Sequence, residues 1–175
     1  MGIALFGHTP ELHDRITRAR GSFEQTVEGI ENLLDHGYDI ELRVIVNRMN
    51  YRELPLMARY ISDNFEGVMR VVFINMKYTG NALKNFERIG VRISDSNPYA
   101  CKAAEILDSE GFDTRLFHFP LCTIPERFWS MAEGVTKQED LTFVDECEGC
   151  SVRERCPMLW KSYVDKFGTD EFECL

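Results

Sequence analysis

Cys147, Cys150 and Cys156 follow one another at C-x2-C-x5-C spacing in the short polar loop Cys147-Glu148-Gly149-Cys150-Ser151-Val152-Arg153-Glu154-Arg155-Cys156. Spacing this tight lets all three sulfurs turn toward one point. Thiolates held so close repel one another unless something positive lies between them, and a metal ion or an iron–sulfur cluster supplies it. Either centre calls for a fourth ligand. Cys122 is the best candidate and Cys174, next to the last residue, is the alternative. Disulfides or free buried thiols are the competing reading, but C-x2-C with a third nearby cysteine favours ligation. A set of four thiolates suits zinc as well as iron. Cys101 lies on an apolar helical face and reads as a small core residue.

Other side chains with possible chemistry are fewer. His8 follows Gly7 at a strand end and reads as a loop histidine. The pair His13-Asp14 is explained by helix capping through Asp14. His118 alternates with Phe117 and Phe119 and could point inward, beside the cysteines. Phe128, Trp129 and Trp160 are expected to pack over the cysteine loop and keep water from it.

The elements that position these residues show in the apolar patterning. Residues 3–6 are a short apolar run ending at Gly7, a buried strand that opens directly at the terminus and hints at something removed upstream. Residues 8–20 are polar and read as a loop with at most one helical turn. Ser22 and Gln25 form a capping box, Val27, Ile30, Leu33 and Leu34 follow at helical spacing, and Gly37 closes the helix. Ile40, Leu42, Val44 and Val46 alternate with less apolar residues, a strand. Asn50 is expected to cap a second helix carrying Leu54, Met57, Ala58, Ile61 and Phe65, with Pro55 delaying its regular part. Residues 68–74 are an almost unbroken β-branched run, as in a central parallel strand covered on both faces. A third helix runs from Asn97-Pro98 to Gly111, and residues 113–119 make a fourth strand.

The order β-α-β-α-β-α-β demands an α/β fold with a parallel sheet and right-handed crossovers. Ligands gather at the carboxyl ends of such strands, which is where Cys122 falls. After Pro125 the pattern changes to a short helix over 126–132, an acidic connector over 133–146, the cysteine loop, and a last helix opened by Pro157. The chain thus divides into a sheet-and-helix part, 1–119, and a cysteine-rich extension, 120–175. Residues 120–167 hold too few apolar side chains to fold alone, so a bound centre is expected to clamp them to the sheet.

Bulk properties narrow the class. The 175 residues carry a net charge of −9, which argues against nucleic-acid binding, since phosphate contacts need a basic surface. No apolar run approaches the length of a membrane span. The start, MGIALFGH, has neither the basic nor the long apolar region of a signal peptide. Six cysteines without an export signal point to a reducing compartment, the cytoplasm.

The stretches LFGHTPELHDRIT (5–17), GSFEQTVEGI (21–30) and ELRVIVNRMNYRELPLMARYI (41–61), the region of Gly80, LCTIP (121–125) and CEGCSVRERC (147–156) together resemble radical S-adenosylmethionine (SAM) proteins. The likeness is closest to SPASM- or twitch-type peptide maturases such as the C-type maturases of the His-Xaa-Ser system. It implies a partial (β/α) barrel whose first strands lie upstream of Met1. It also implies that Cys122, Cys147, Cys150 and Cys156 hold an auxiliary 4Fe-4S cluster. The substrate would be a peptide or protein, and SAM the cofactor of the full-length family, cleaved reductively to a 5′-deoxyadenosyl radical that abstracts hydrogen. Arg43 and Asn47 would lie near the SAM ribose and carboxylate, and Asn75 and Gly80 along the adenine. Local structure explains these four nearly as well, Arg43 as an outward strand residue and Asn47 as a turn former.

The sequence departs from the family in one decisive respect. No C-x3-C-x2-C motif and no glycine-rich loop after the second strand occur in the 175 residues. The chain alone is therefore expected not to generate the radical, and no catalytic residue is assigned. A non-catalytic interaction module built on zinc and four cysteines is the alternative. A half-barrel also exposes a strand edge, which leaves room for self-association or for pairing with a missing amino-terminal half.

Overall fold

The computed structural model describes residues 1–134 and 139–175. Strands β1 (Gly2–Ala4), β2 (Glu41–Val46), β3 (Arg70–Asn75), β4 (Thr114–Phe117) and β5 (Ala132–Glu133) form one all-parallel sheet whose spatial order is the chain order. The expected α/β class and parallel sheet are present, with one strand more than the apolar pattern revealed. Sequential order has a consequence. If every right-handed crossover steps the same way, the connecting helices all fall on one side of the sheet.

The helices are α1 (Pro10–Thr17), α2 (Ser22–Asp35), α3 (Leu54–Asn64), the short α4 (Gly80–Lys84) and α5 (Phe86–Ile89), α6 (Ile93–Ser109) and α7 (Lys161–Phe167). Burial follows the topology. Leu42, Val44, Val46, Val71, Phe73 and Leu116 share one core with Ile30 of α2, Met57 and Ile61 of α3, and Ala104 and Leu107 of α6. The other face of the sheet presents Glu41, Arg43 and Ile45 on β2 and Arg115 and Phe117 on β4. Charges there pair within the sheet: Arg43 with Glu41, Arg70 with Asp113, and Arg115 with Asp113 and Glu133. Val72 is fully buried on this face, outside the apolar core, between Arg43 and Arg115 in register. Thus β3 is covered on both faces, by helices on one and by the apolar stems of long charged side chains on the other.

Several local expectations are corrected. Residues 10–17 are helix, not loop. Thr9 caps α1, accepting from the Leu12 amide, and Pro10 opens its first turn. The capping box at Ser22 does not form. Gly21, at φ 80°, is the N-cap of α2, and Asp14 reaches across from α1 to accept from the Gly21 and Phe23 amides and the Ser22 hydroxyl. Asn50 does not cap α3. It is a buried strut, accepting from the Asn47 amide and donating to the carbonyls of Phe6 and Ile45. Helix α6 starts at Ile93, a turn before Asn97, and takes Pro98 into its second turn. The carboxyl-terminal helix begins at Lys161, because Leu159–Trp160 (β7) instead pairs antiparallel with Leu141–Thr142 (β6).

His13 ties β1 to α1. Its ring is buried, and Nδ1 accepts from the Phe6 amide at 3.3 Å. Burial lowers its pKa below the ordinary 6.5, against the opposing pull of Asp14 and Glu24. Above that value the ring is neutral in the folded and unfolded chain alike, and stability is intact. As pH falls below it, the unfolded chain takes up a proton that the folded ring resists, so stability is lost. The denaturation midpoint should therefore drop on acidification from neutral pH to about pH 5. His13→Gln should flatten that drop; an unchanged pH profile in the variant would overturn the assignment.

Candidate metal centre

Cys122 lies in a 3-10 turn, Leu121–Thr123, just beyond the carboxyl end of β4. The other three cysteines follow the sheet on irregular backbone. Cys147 ends the 3-10 turn Asp145–Cys147, and Cys156 follows the turn Arg153–Arg155. Between them Gly149 takes φ 77°, a left-handed conformation that lets the chain turn back to Cys150. All six cysteines of the chain are free thiols.

Cys122, Cys147, Cys150 and Cys156 line a single cavity of about 20 Å³, walled by apolar side chains that include Phe143, Met158 and Phe172. Among the described residues, no group of three or more His, Cys, Asp or Glu side chains is drawn together tightly enough to hold a metal ion directly. The thiols share a cavity rather than a coordination point. As donors they fit a sulfur-ligated centre in number, type and apolar surroundings. Zinc at about 2.3 Å from each sulfur requires the loop to close. A cluster, in which each iron takes its own thiolate, requires the cavity to widen.

The thiols feel one another. Burial pushes the Cys122 thiol up, and the nearby Cys156 and Cys147 add to the rise. Burial also raises Cys156, reinforced by Cys147 and Cys150. Cys150 goes the other way: the backbone amides of Leu175 and Val152 favour its thiolate, with the Cys174 thiol and the Arg153 charge adding to the effect. Cys174 lies beside it, its Sγ 3.7 Å from the Glu148 carbonyl, and the Ser151 amide donates to the Leu175 carbonyl at 2.9 Å. The alternative fourth ligand is thus also within the neighbourhood.

The aromatic residues divide between roles. Trp129 Nε1 donates to the Leu121 carbonyl at 3.0 Å, and the Arg155 guanidinium lies over its ring. Phe128 belongs to the main core, away from the role of a lid. Trp160 packs on His118 with ring centroids 4.0 Å apart and donates to the Asn75 carbonyl. His118 is buried in a left-handed backbone conformation, φ 58°, and its Nδ1 pairs with the Pro157 carbonyl at 3.1 Å. It steadies the chain just after Cys156. Cys101 is a buried helical residue, its thiol pushed up to about 12 by burial.

The four residues assigned to SAM contact do not line one cavity. Arg43 is exposed on the sheet face and bound to Glu41 at 2.7 Å. Asn47 is fully buried. Its side chain donates to the Ile45 carbonyl and accepts from the Met49 amide, which holds the turn after β2. Asn75 donates to the His118 carbonyl. Gly80, at φ 55°, opens α4. Of the four only Asn47 lines the large cleft at the carboxyl ends of β1, β2 and β3, a cavity of about 410 Å³. His8 lies near that end too, its Nε2 4.0 Å from Glu53.

A third feature had no signal in the spacing. Tyr163 of α7 accepts from the Ile93 amide at 2.8 Å and donates to Glu171, whose other oxygen accepts from the Ser94 amide. Glu171 thus caps α6 from the far end of the chain. Around it Tyr78, Ile93, Leu159, Tyr163 and Phe172 form a second apolar core.

No helix among the described residues is long and apolar enough to cross a membrane. No family model matches the chain, and no solved structure matches it. Fe-coproporphyrin III synthase of Methanosarcina barkeri (strain Fusaro / DSM 804) is 26% identical over 84 residues, 48% of this chain and 20% of that protein. The chain thus matches about a fifth of the length of that curated relative.

Proposed function

We propose that this chain is the carboxyl-terminal part of a radical SAM iron–sulfur oxidoreductase acting on a peptide or protein, in which Cys122, Cys147, Cys150 and Cys156 hold an auxiliary 4Fe-4S cluster. The similarity to Fe-coproporphyrin III synthase, a radical SAM enzyme, supports the family and nothing finer. One observation carries the rest: four cysteines from two separate stretches of chain line one apolar cavity beyond the carboxyl end of β4. A bound cluster would supply one-electron chemistry there. Within this reading the chain's own residues do the positioning. Backbone amides favour the Cys150 thiolate, the turn at Gly149 brings the chain back to it, and His118 and Trp129 brace the two ends of the site through the Pro157 and Leu121 carbonyls.

The sequence lacks the motif that binds the SAM-cleaving cluster, so this chain alone releases no 5′-deoxyadenosine from SAM and reductant in this reading. The edge of the sheet at β1 is where further strands or a second copy would pair. Free thiols throughout suit a reducing compartment, the cytoplasm. Zinc on the same four cysteines, making a non-catalytic interaction module, is the second reading, favoured by a cavity nearer the size of one ion than of a cluster.

Anaerobic reconstitution with iron and sulfide distinguishes them. The cluster reading expects a brown protein with broad visible absorption and matched iron and labile sulfide. A colourless protein that takes up zinc alone sinks it.

A further inference from the structure

We propose that the cleft at the carboxyl ends of β1, β2 and β3 is a binding site for polycarboxylate ligands, and that it does not take SAM. Its volume of about 410 Å³ is that of a small-molecule site. Phe6, Ile16, Met49, Met76, Ala82 and Ile89 give it apolar walls, and Arg18 and Arg88 line it with no acidic residue among the lining side chains. In a chain with 29 acidic and 20 basic residues, that local excess of positive charge runs against the whole.

One more arginine, Arg48, borders the cleft between the lining residues Asn47 and Met49, and Arg48 and Arg88 are both held in place by backbone. Arg88 donates to the Arg15 carbonyl at 3.2 Å, and Arg48 donates to the Glu87 carbonyl at 3.2 Å. Among the described residues none of Arg18, Arg48 and Arg88 joins an ion pair, whereas the arginines of the sheet face, Arg43, Arg70 and Arg115, all do. Guanidinium groups bind carboxylates through paired, charge-assisted hydrogen bonds. Three of them beside an apolar floor fit a ligand with an apolar body and several carboxylates. SAM has one carboxylate against an ammonium and a sulfonium, so this cluster of positive charge repels it. The site is independent of whether the cysteines hold a cluster.

The test is calorimetric titration of the full chain at low salt with three probes: pyromellitate, a tetraglutamate peptide and SAM. The expected result is binding of pyromellitate, the peptide or both, with no binding of SAM. Pyromellitate alone identifies a small-molecule acid as the ligand type, and the peptide alone an acidic peptide. Arg18→Gln and Arg88→Gln should each weaken binding about tenfold. Arg88→Lys should retain more of the affinity than Arg88→Gln, and Arg20→Gln should leave it unchanged. Failure of both acidic probes, SAM binding as tight as theirs, or equal affinity in the Arg18→Gln/Arg88→Gln double variant would overturn the proposal.

Discussion

Replacing Cys150 by Ala should strip the bound centre and open residues 143–156 to protease, while the sheet and α7 stay protected. In small sites a structural metal contributes about 10–16 kcal/mol of apparent binding free energy, so its loss is felt wherever the centre is the main tie. The cysteine loop has few others. The Ser151 amide bonds to Leu175, Thr169 bonds to Glu146, and two arginines lie over aromatic rings. Residues 157–172 are held differently, by the second core and by the Tyr163–Glu171 contacts with the start of α6. A clamp, expected over the whole of 120–167, would therefore be confined to its middle. Limited proteolysis of reconstituted wild type and variant, with fragments identified by mass spectrometry, reads this directly. Equal protection of 143–156 in both would show that no centre ties the loop down.

Phe73→Ala should be the most damaging change in the sheet. Phe73 is fully buried at the middle of the central strand, in register between Val44 and Leu116. Removing such a ring costs about 3–5 kcal/mol, a large share of the roughly 5–15 kcal/mol available to a domain. Arg43→Ala, one strand away on the opposite face, removes an exposed ion pair and should cost less than about 1 kcal/mol. Chemical denaturation of the two variants checks the contrast. A Phe73→Ala loss no larger than that of Arg43→Ala would mean that the core is not on the helix-covered face.

Strong periodic segments were legible. Strands β2 and β3 and helices α2 and α3 lie where alternation and helical spacing put them, since a buried face leaves a regular trace in sequence. Short or weakly apolar elements were not. Helix α1 has Thr9-Pro10 as a start signal, yet its buried side includes His13, a polar residue that pattern reading passes over. Strand β5 is two residues long, below any period. Pro98 read as a helix start because proline favours the first turn, whereas here Ile93 and Ser94 already have partners in Tyr163 and Glu171 that draw the helix back by a turn. At the candidate site, tight spacing made three cysteines legible together. The strand-end rule for parallel sheets made Cys122 legible as their neighbour. The SAM-contact assignments rested on resemblance, and local hydrogen bonds account for Asn47 and Asn75. The Glu171 cap joins residues 77 apart in sequence, a pairing that no local pattern announces.

X-ray absorption at the iron and zinc edges of anaerobically prepared protein tests the convergence of Cys122, Cys147, Cys150 and Cys156 most directly. The expected spectrum is iron with an all-sulfur first shell and a short iron–iron distance, lost in Cys150→Ala. Zinc in place of iron, or a metal coordinated by oxygen and nitrogen, would contradict the account.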